Sequence, residues 1–198
     1  MTKLKQRMYR GGVAAAVLAV AAVPLSASAI TENTTINATV GSTISISSTS
    51  PVSIALSPGG SAVVSSASDT VTVSTNNSNG YTLTLANFDT NRNLVSGSNN
   101  IAPHAGTPAA PSVLADNTWG YAVAGAPFSG SYTAESNNSA SASTWAGVPA
   151  SGSPVTLKTT SSVASGDVTT VWYGVRVDSS QPTGTYTDTV TYSATVNP

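Results

Sequence analysis

Cysteine is absent from this 198-residue chain, which excludes a disulfide framework, a lipid-modified cysteine at a processing site and any thiolate metal centre. Histidine occurs once, at His104, so a multi-histidine zinc site is excluded as well. Charged residues make up 8% of the chain, and the Leu/Glu/Lys stretches that propagate helices are missing. The main apolar run, Gly11 to Val23, is shorter than the roughly 20 residues that a membrane-crossing helix needs.

What stands at the start is the three-part pattern of a secretory signal. Lys3, Lys5, Arg7 and Arg10 precede that apolar run, and Ala27-Ser28-Ala29 follows with small residues at the cleavage positions. Residues 1–29 therefore read as a signal peptide. Secretion to the cell surface is expected, with no membrane span after cleavage. A retained N-terminal anchor is the competing reading, and the short apolar run weighs against it. Cleavage removes four basic residues and leaves Arg92, Lys158 and Arg176 against eight acids, a net charge of −5. No basic cluster remains to neutralise a phosphate backbone, so nucleic acid is not an expected partner. Residues 30–198 fit one domain large enough to bury a core without cross-links.

The remainder is rich in Ser, Thr, Ala, Val, Gly and Asn, and its periodicity is that of strands. From Thr185 to Val196, Tyr186, Val190, Tyr192, Ala194 and Val196 share one parity, interrupted by Asp188, while Thr or Ser fills the other. Such a strand buries one face and offers water a row of hydroxyls. Asp69–Thr75 and Gly80–Ala86, joined by an Asn/Ser/Gly segment, read as a hairpin. Val171, Tyr173, Val175 and Val177 form another inward row, expected to pair with the last strand through the turn at Ser179–Gly184. Shorter candidates are 35–40, 43–47, 52–56, 119–124 and 154–159. The expected fold is all-β, an antiparallel β-sandwich of about eight to ten short strands, with a β-barrel as the competing closure. Two stretches, 97–118 and 125–153, read as long loops that either hide short strands or form a functional surface. Trp119, Tyr121, Tyr132 and Trp145 lie in or beside the second. They are candidates for a carbohydrate-stacking surface, with core filling as the plainer reading.

Catalytic chemistry finds little to work with. His104 sits in Ala102-Pro103-His104-Ala105-Gly106 without a neighbouring carboxylate, and neither Gly-x-Ser-x-Gly nor Ser-x-x-Lys occurs. The acids are scattered singly, so a carboxylate pair would need folding to unite Asp116, Glu135 or Asp167. Asp89-Thr90-Asn91-Arg92-Asn93 has the donor spacing that begins a calcium loop, but Leu94 replaces the turn glycine and Asn100 the bidentate glutamate. It reads as a polar turn. No enzyme activity, metal or cofactor is expected.

The string Gln181-Pro182-Thr183-Gly184-Thr185-Tyr186, followed by the Thr-rich strand through Ala194, resembles the closing strand of WxL-type bacterial surface domains. Asn79-Gly80-Tyr81-Thr82-Leu83 resembles the earlier Trp-x-Leu strand of the same family, with Tyr81 in the place of Trp. The resemblance covers these two strands, and Ala194 stands where the second motif has Leu. It implies an extracellular β-sandwich held non-covalently at the cell envelope, in that family through the peptidoglycan. Expectation thus centres on a secreted structural or adhesive surface protein whose partners are a wall polymer or other surface proteins. A glycan-binding module is one alternative. A fibre subunit is another, in which Ile36, Ala38 and Val40 of the segment 34–47 add as a strand to the next copy. The bare hydroxyl row of the last strand also suggests an ordered surface as ligand, but one strand supplies too few ranks.

Overall fold

The computed structural model describes residues 32–198, and the expected signal peptide, residues 1–29, lies outside the described residues. The chain divides after Thr39: residues 32–39 carry no regular secondary structure, and 40–198 form the folded unit. Its strands are β1 (Ile44–Ser48), β2 (Val63–Thr75), β3 (Tyr81–Asn87), β4 (Leu94–Ser96), β5 (Asn99–Pro103), β6 (Ser112–Val113), β7 (Thr118–Val123), β8 (Thr144–Trp145), β9 (Val155–Thr159), β10 (Ala164–Val177) and β11 (Val190–Val196).

The protein is an all-β sandwich. A six-stranded sheet runs β1-β2-β10-β7-β5-β4 and faces a three-stranded sheet β11-β3-β9, while β6 and β8 form a small separate pair. Pairing is antiparallel except where β5 meets β7. The alternating rows expected from sequence meet in the middle: Val71 and Val73 of β2, Tyr81, Leu83 and Leu85 of β3, and Val171, Tyr173, Val175 and Val177 of β10 all lie in one core. The six-stranded sheet reaches round at β4, where Val95 bridges to Thr187.

Two expected pairings are corrected. β2 and β3 do not form a hairpin, because β2 pairs with β1 and β10 while β3 pairs with β11 and β9. Asn76–Gly80 instead carries the chain from one sheet to the other. Gly80 makes the crossing with φ +76°, packed so closely on Thr160 that a side chain would collide with it. In the same way β10 and β11 face each other across the core rather than sharing an edge, and their tyrosines meet there, Tyr173 OH to Tyr192 OH at 2.6 Å. The physical reason is the same in both cases. Period-2 alternation tells which side chains point inward and leaves the lateral neighbour open.

Residues 52–56 are also not a strand, although Val52, Ile54 and Leu56 pack against the core in the expected alternation. The expected strand at 35–40 is absent as well. Of the two long loops, 97–118 contains β5 and β6, and 125–153 contains β8. A second core lies apart from the main one and consists of Val64, Leu114, Ala122, Tyr132 and Trp145, with Phe128 and Trp172 against it. Val64, Ala122 and Trp172 have the outward parity of β2, β7 and β10, which puts this core on the outer face of the six-stranded sheet. Val63 to Ser66 are consequently buried at every position instead of alternating. The outer face accepts this layer because Gly174 and Gly120 stand opposite each other on β10 and β7. A Cβ on Gly174 would lie 2.7 Å from the Trp145 indole, so glycine there leaves the floor on which the ring rests.

Candidate functional site

The outer face of the three-stranded sheet is built from the residues that β3, β9 and β11 turn away from the core. Register places Thr195, Thr82 and Thr159 in one rank, and Ser193, Thr84 and Thr156 in the next. Thr191 begins a third rank beside Ala86. Strand geometry sets such side chains about 4.8 Å apart across the sheet and about 6.7 Å apart along each strand. The hydroxyls of β11 and β9 in these ranks are exposed, and those of β3 are half-buried and partly engaged. Thr82 Oγ1 donates to Asn197 Oδ1 at 2.9 Å, and Thr84 Oγ1 donates to the Ser193 carbonyl at 3.3 Å. No member of these ranks is charged. The face therefore offers a regular field of donors and acceptors suited to a hydroxyl-rich surface rather than to an ion.

Three of those strands were legible as separate segments, yet only the outward row of β11 stood out in the sequence. Thr82, Thr84, Thr156 and Thr159 were missed as partners in the same face. The signal for Thr82 and Thr84 was the parity opposite Tyr81, Leu83 and Leu85, and for Thr156 the parity opposite Val155 and Leu157. Thr159 shares the parity of those two and reaches the outer face only through the irregularity in the β3–β9 register.

The aromatic stacking surface is corrected. Trp119, Tyr121, Tyr132 and Trp145 are all buried, none more than 9% exposed, so no ring is available to stack on a sugar. Trp119 and Tyr121 belong to the main core and Tyr132 and Trp145 to the second, where their rings meet edge to face at 5.3 Å. Burial raises the Tyr121 phenol to about 12. Of the strand-addition arm, Ile36 and Val40 stand 88% and 84% exposed, and Ala38 is exposed too.

His104 is buried beside Ser112, with Nε2 2.9 Å from Ser112 Oγ. The Ala115 N–H points at Nδ1 from 3.4 Å, so Nδ1 is the acceptor and the neutral ring carries its proton on Nε2. In that tautomer Nε2 donates to the hydroxyl and cannot take its proton, which is the reverse of nucleophile activation. Burial holds the imidazole below its ordinary range, against an opposing pull from Ser112. The unfolded chain thus takes up a proton first. The contribution to stability is full above about pH 6.5 and is lost as pH falls through the lowered folded value. Thermal melts between pH 7.5 and 5 should show a falling Tm that becomes flatter in His104→Gln. Equal slopes in the two proteins would contradict this assignment.

The scattered acids stay apart. Asp116 pairs with Arg176 at 2.5 Å and Asp167 with Lys158 at 2.6 Å, the lysine holding the Asp167 carboxyl below its usual range. Glu135 accepts from Ser141 at 3.0 Å, Ser143 at 2.8 Å and Asn138 at 2.9 Å, which ties down its loop. Asp89–Asn93 is a pair of side-chain-capped turns, Asp89 accepting from the Asn91 N–H at 2.8 Å and Asn91 from the Asn93 N–H at 3.2 Å. Among the described residues, no group of three or more His, Asp or Glu side chains is placed to hold a metal ion. Compared with protein-family models, curated proteins and solved structures, the chain matches none of them.

Proposed function

We infer that this chain is an exported structural and adhesive protein of the bacterial cell surface, held non-covalently to a hydroxyl-rich wall polymer through the outer face of the three-stranded sheet. The observation that carries the reading is the uncharged field formed by Thr82, Thr84, Thr156, Thr159, Thr191, Ser193 and Thr195. A polymer of sugars presents hydroxyls, amides and ring oxygens at repeated intervals. Each is a weak partner in water, about 0.5–1.5 kcal/mol per net hydrogen bond, so retention comes from many contacts on a stiff surface. The β-sandwich supplies that stiffness without cross-links, and a face without charge gives salt little to screen. The signal-like N-terminus and the resemblance of β3 and β11 to WxL-type strands support the same location.

Producing cells separated into wall, membrane and medium should carry the protein in the wall fraction. Binding to isolated walls should fall at least about tenfold, or roughly 1.4 kcal/mol, in a protein bearing Thr156→Lys and Ser193→Lys, with its melting temperature little changed. Wall binding that survives both lysines would remove the hydroxyl face from the reading. Recovery of the protein wholly in the medium would remove wall retention.

A further inference from the structure

We propose that β1 is an exchangeable strand: the segment Ile44–Ser57 of one copy occupies, in a second copy, the edge of β2 that it covers here within a single chain. The inference needs only a second copy of this chain and does not depend on wall binding.

β1 lies at the edge of the six-stranded sheet, and all five of its residues are exposed. Its two isoleucines point toward the core from the edge and remain 37% and 41% exposed, so lifting β1 itself costs little apolar burial, and the main apolar cost of opening falls on Val52, Ile54 and Leu56. Its pairing with β2 is short, from Ile44 opposite Thr75 to Ser48 opposite Val71. The grips at either end belong to the acceptor. Asn76 receives the Thr43 N–H at 2.7 Å and donates to the Gly41 carbonyl at 3.0 Å, and Asp69 receives the Thr49 N–H and hydroxyl at 2.9 and 2.8 Å. An identical strand from another copy meets the same grips in the same register.

The link to β2 favours exchange. Residues 49–62 form no ladder among the described residues, and Gly59-Gly60-Ser61 are exposed. That glycine pair is the hinge. Val52, Ile54 and Leu56 travel with β1 and fill the same half-buried places in the recipient. Since every contact is remade, the free-energy difference between closed and exchanged forms is small and concentration decides it.

Two of the other three edges are protected: β9 carries Lys158, ion-paired to Asp167, and β4 is tied to Thr187, while β11 is uncharged like β1 but has no glycine hinge pair beside it. β1, with sequence Ile-Ser-Ile-Ser-Ser, has no charge and no proline to discourage a partner strand.

The absence of native cysteine makes the test direct. Ser47 and Thr72 are opposite each other on the outer face. Copies carrying Ser47→Cys alone and Thr72→Cys alone are mixed at high concentration, oxidised and run without reductant, with each single variant as control. Size-exclusion chromatography with light scattering follows association of the unsubstituted protein. Exchange predicts association that grows with concentration, and a 47–72 cross-linked dimer in the mixture well above either control. In the doubly substituted chain, dilute oxidation yields a cross-linked monomer that no longer associates. A monomer at millimolar concentration would overturn the proposal, and so would oligomers in which 47–72 links form only within one chain.

Discussion

Replacing Trp145 by alanine is expected to lower stability by about 3–5 kcal/mol, the range for removing a large buried aromatic. For a chain of this size that corresponds to a fall in Tm of about 6–20 °C. The indole is the largest fully buried side chain of the molecule. It lies against the glycine floor at Gly174 and meets Tyr132 edge to face, so alanine leaves a cavity with rigid walls on both sides. The indole N–H has no hydrogen-bond partner among the described residues. Trp145→Phe therefore removes an unsatisfied donor along with some volume, and its cost should be well below that of alanine. Hydrogen exchange is expected to rise first in 125–153, the stretch held down by this core, and least in β3 and β11. If Trp145→Ala melts within about 2 °C of the parent, the second core is not the element that pins the long loop.

Leu85→Ala is expected to act on the whole sandwich, at a cost of about 2–5 kcal/mol. Leu85 sits in the middle strand of the three-stranded sheet, opposite Tyr192 on one side and Val155 on the other, and is fully buried in the main core. No neighbouring strand can slide in to fill the space, since β3 is held by ladders along both edges. Chemical denaturation should keep its slope and shift its midpoint, and exchange should rise across β2, β3 and β10 together. Protection lost only in β3 would mean that the two sheets open independently. The combined Trp145→Ala and Leu85→Ala protein should show costs that add, because the two residues belong to different cores.

The strand class and most strand positions were legible from local pattern. Tyr81, Leu83 and Leu85 announced β3, and Tyr192, Ala194 and Val196 announced β11, because alternation is a property of the extended backbone itself. Residues 52–56 show the limit of that signal. Their alternation is real in burial, yet no ladder forms, since an apolar row needs only a core to face and not a hydrogen-bonded neighbour. Residues 125–153 show the opposite limit. Without periodicity they looked like open loop, and the residues that bury them, Gly120, Gly174 and Ala122, lie on other strands.

The sequence by itself determined that the chain is built of strands, that the last of them carries hydroxyls on its outer side, and that neither thiolate nor paired histidine chemistry is available. Only the tertiary structure decided which strands share a sheet, and with it whether the hydroxyl row of β11 stands alone or is joined by those of β3 and β9. It also decided that the aromatics fill cores and that His104 holds its proton on the nitrogen facing Ser112. The division follows from range. Side-chain parity is set between neighbours two residues apart, whereas a sheet partner, a buried ring or a tautomer is set by groups that meet only after long segments close.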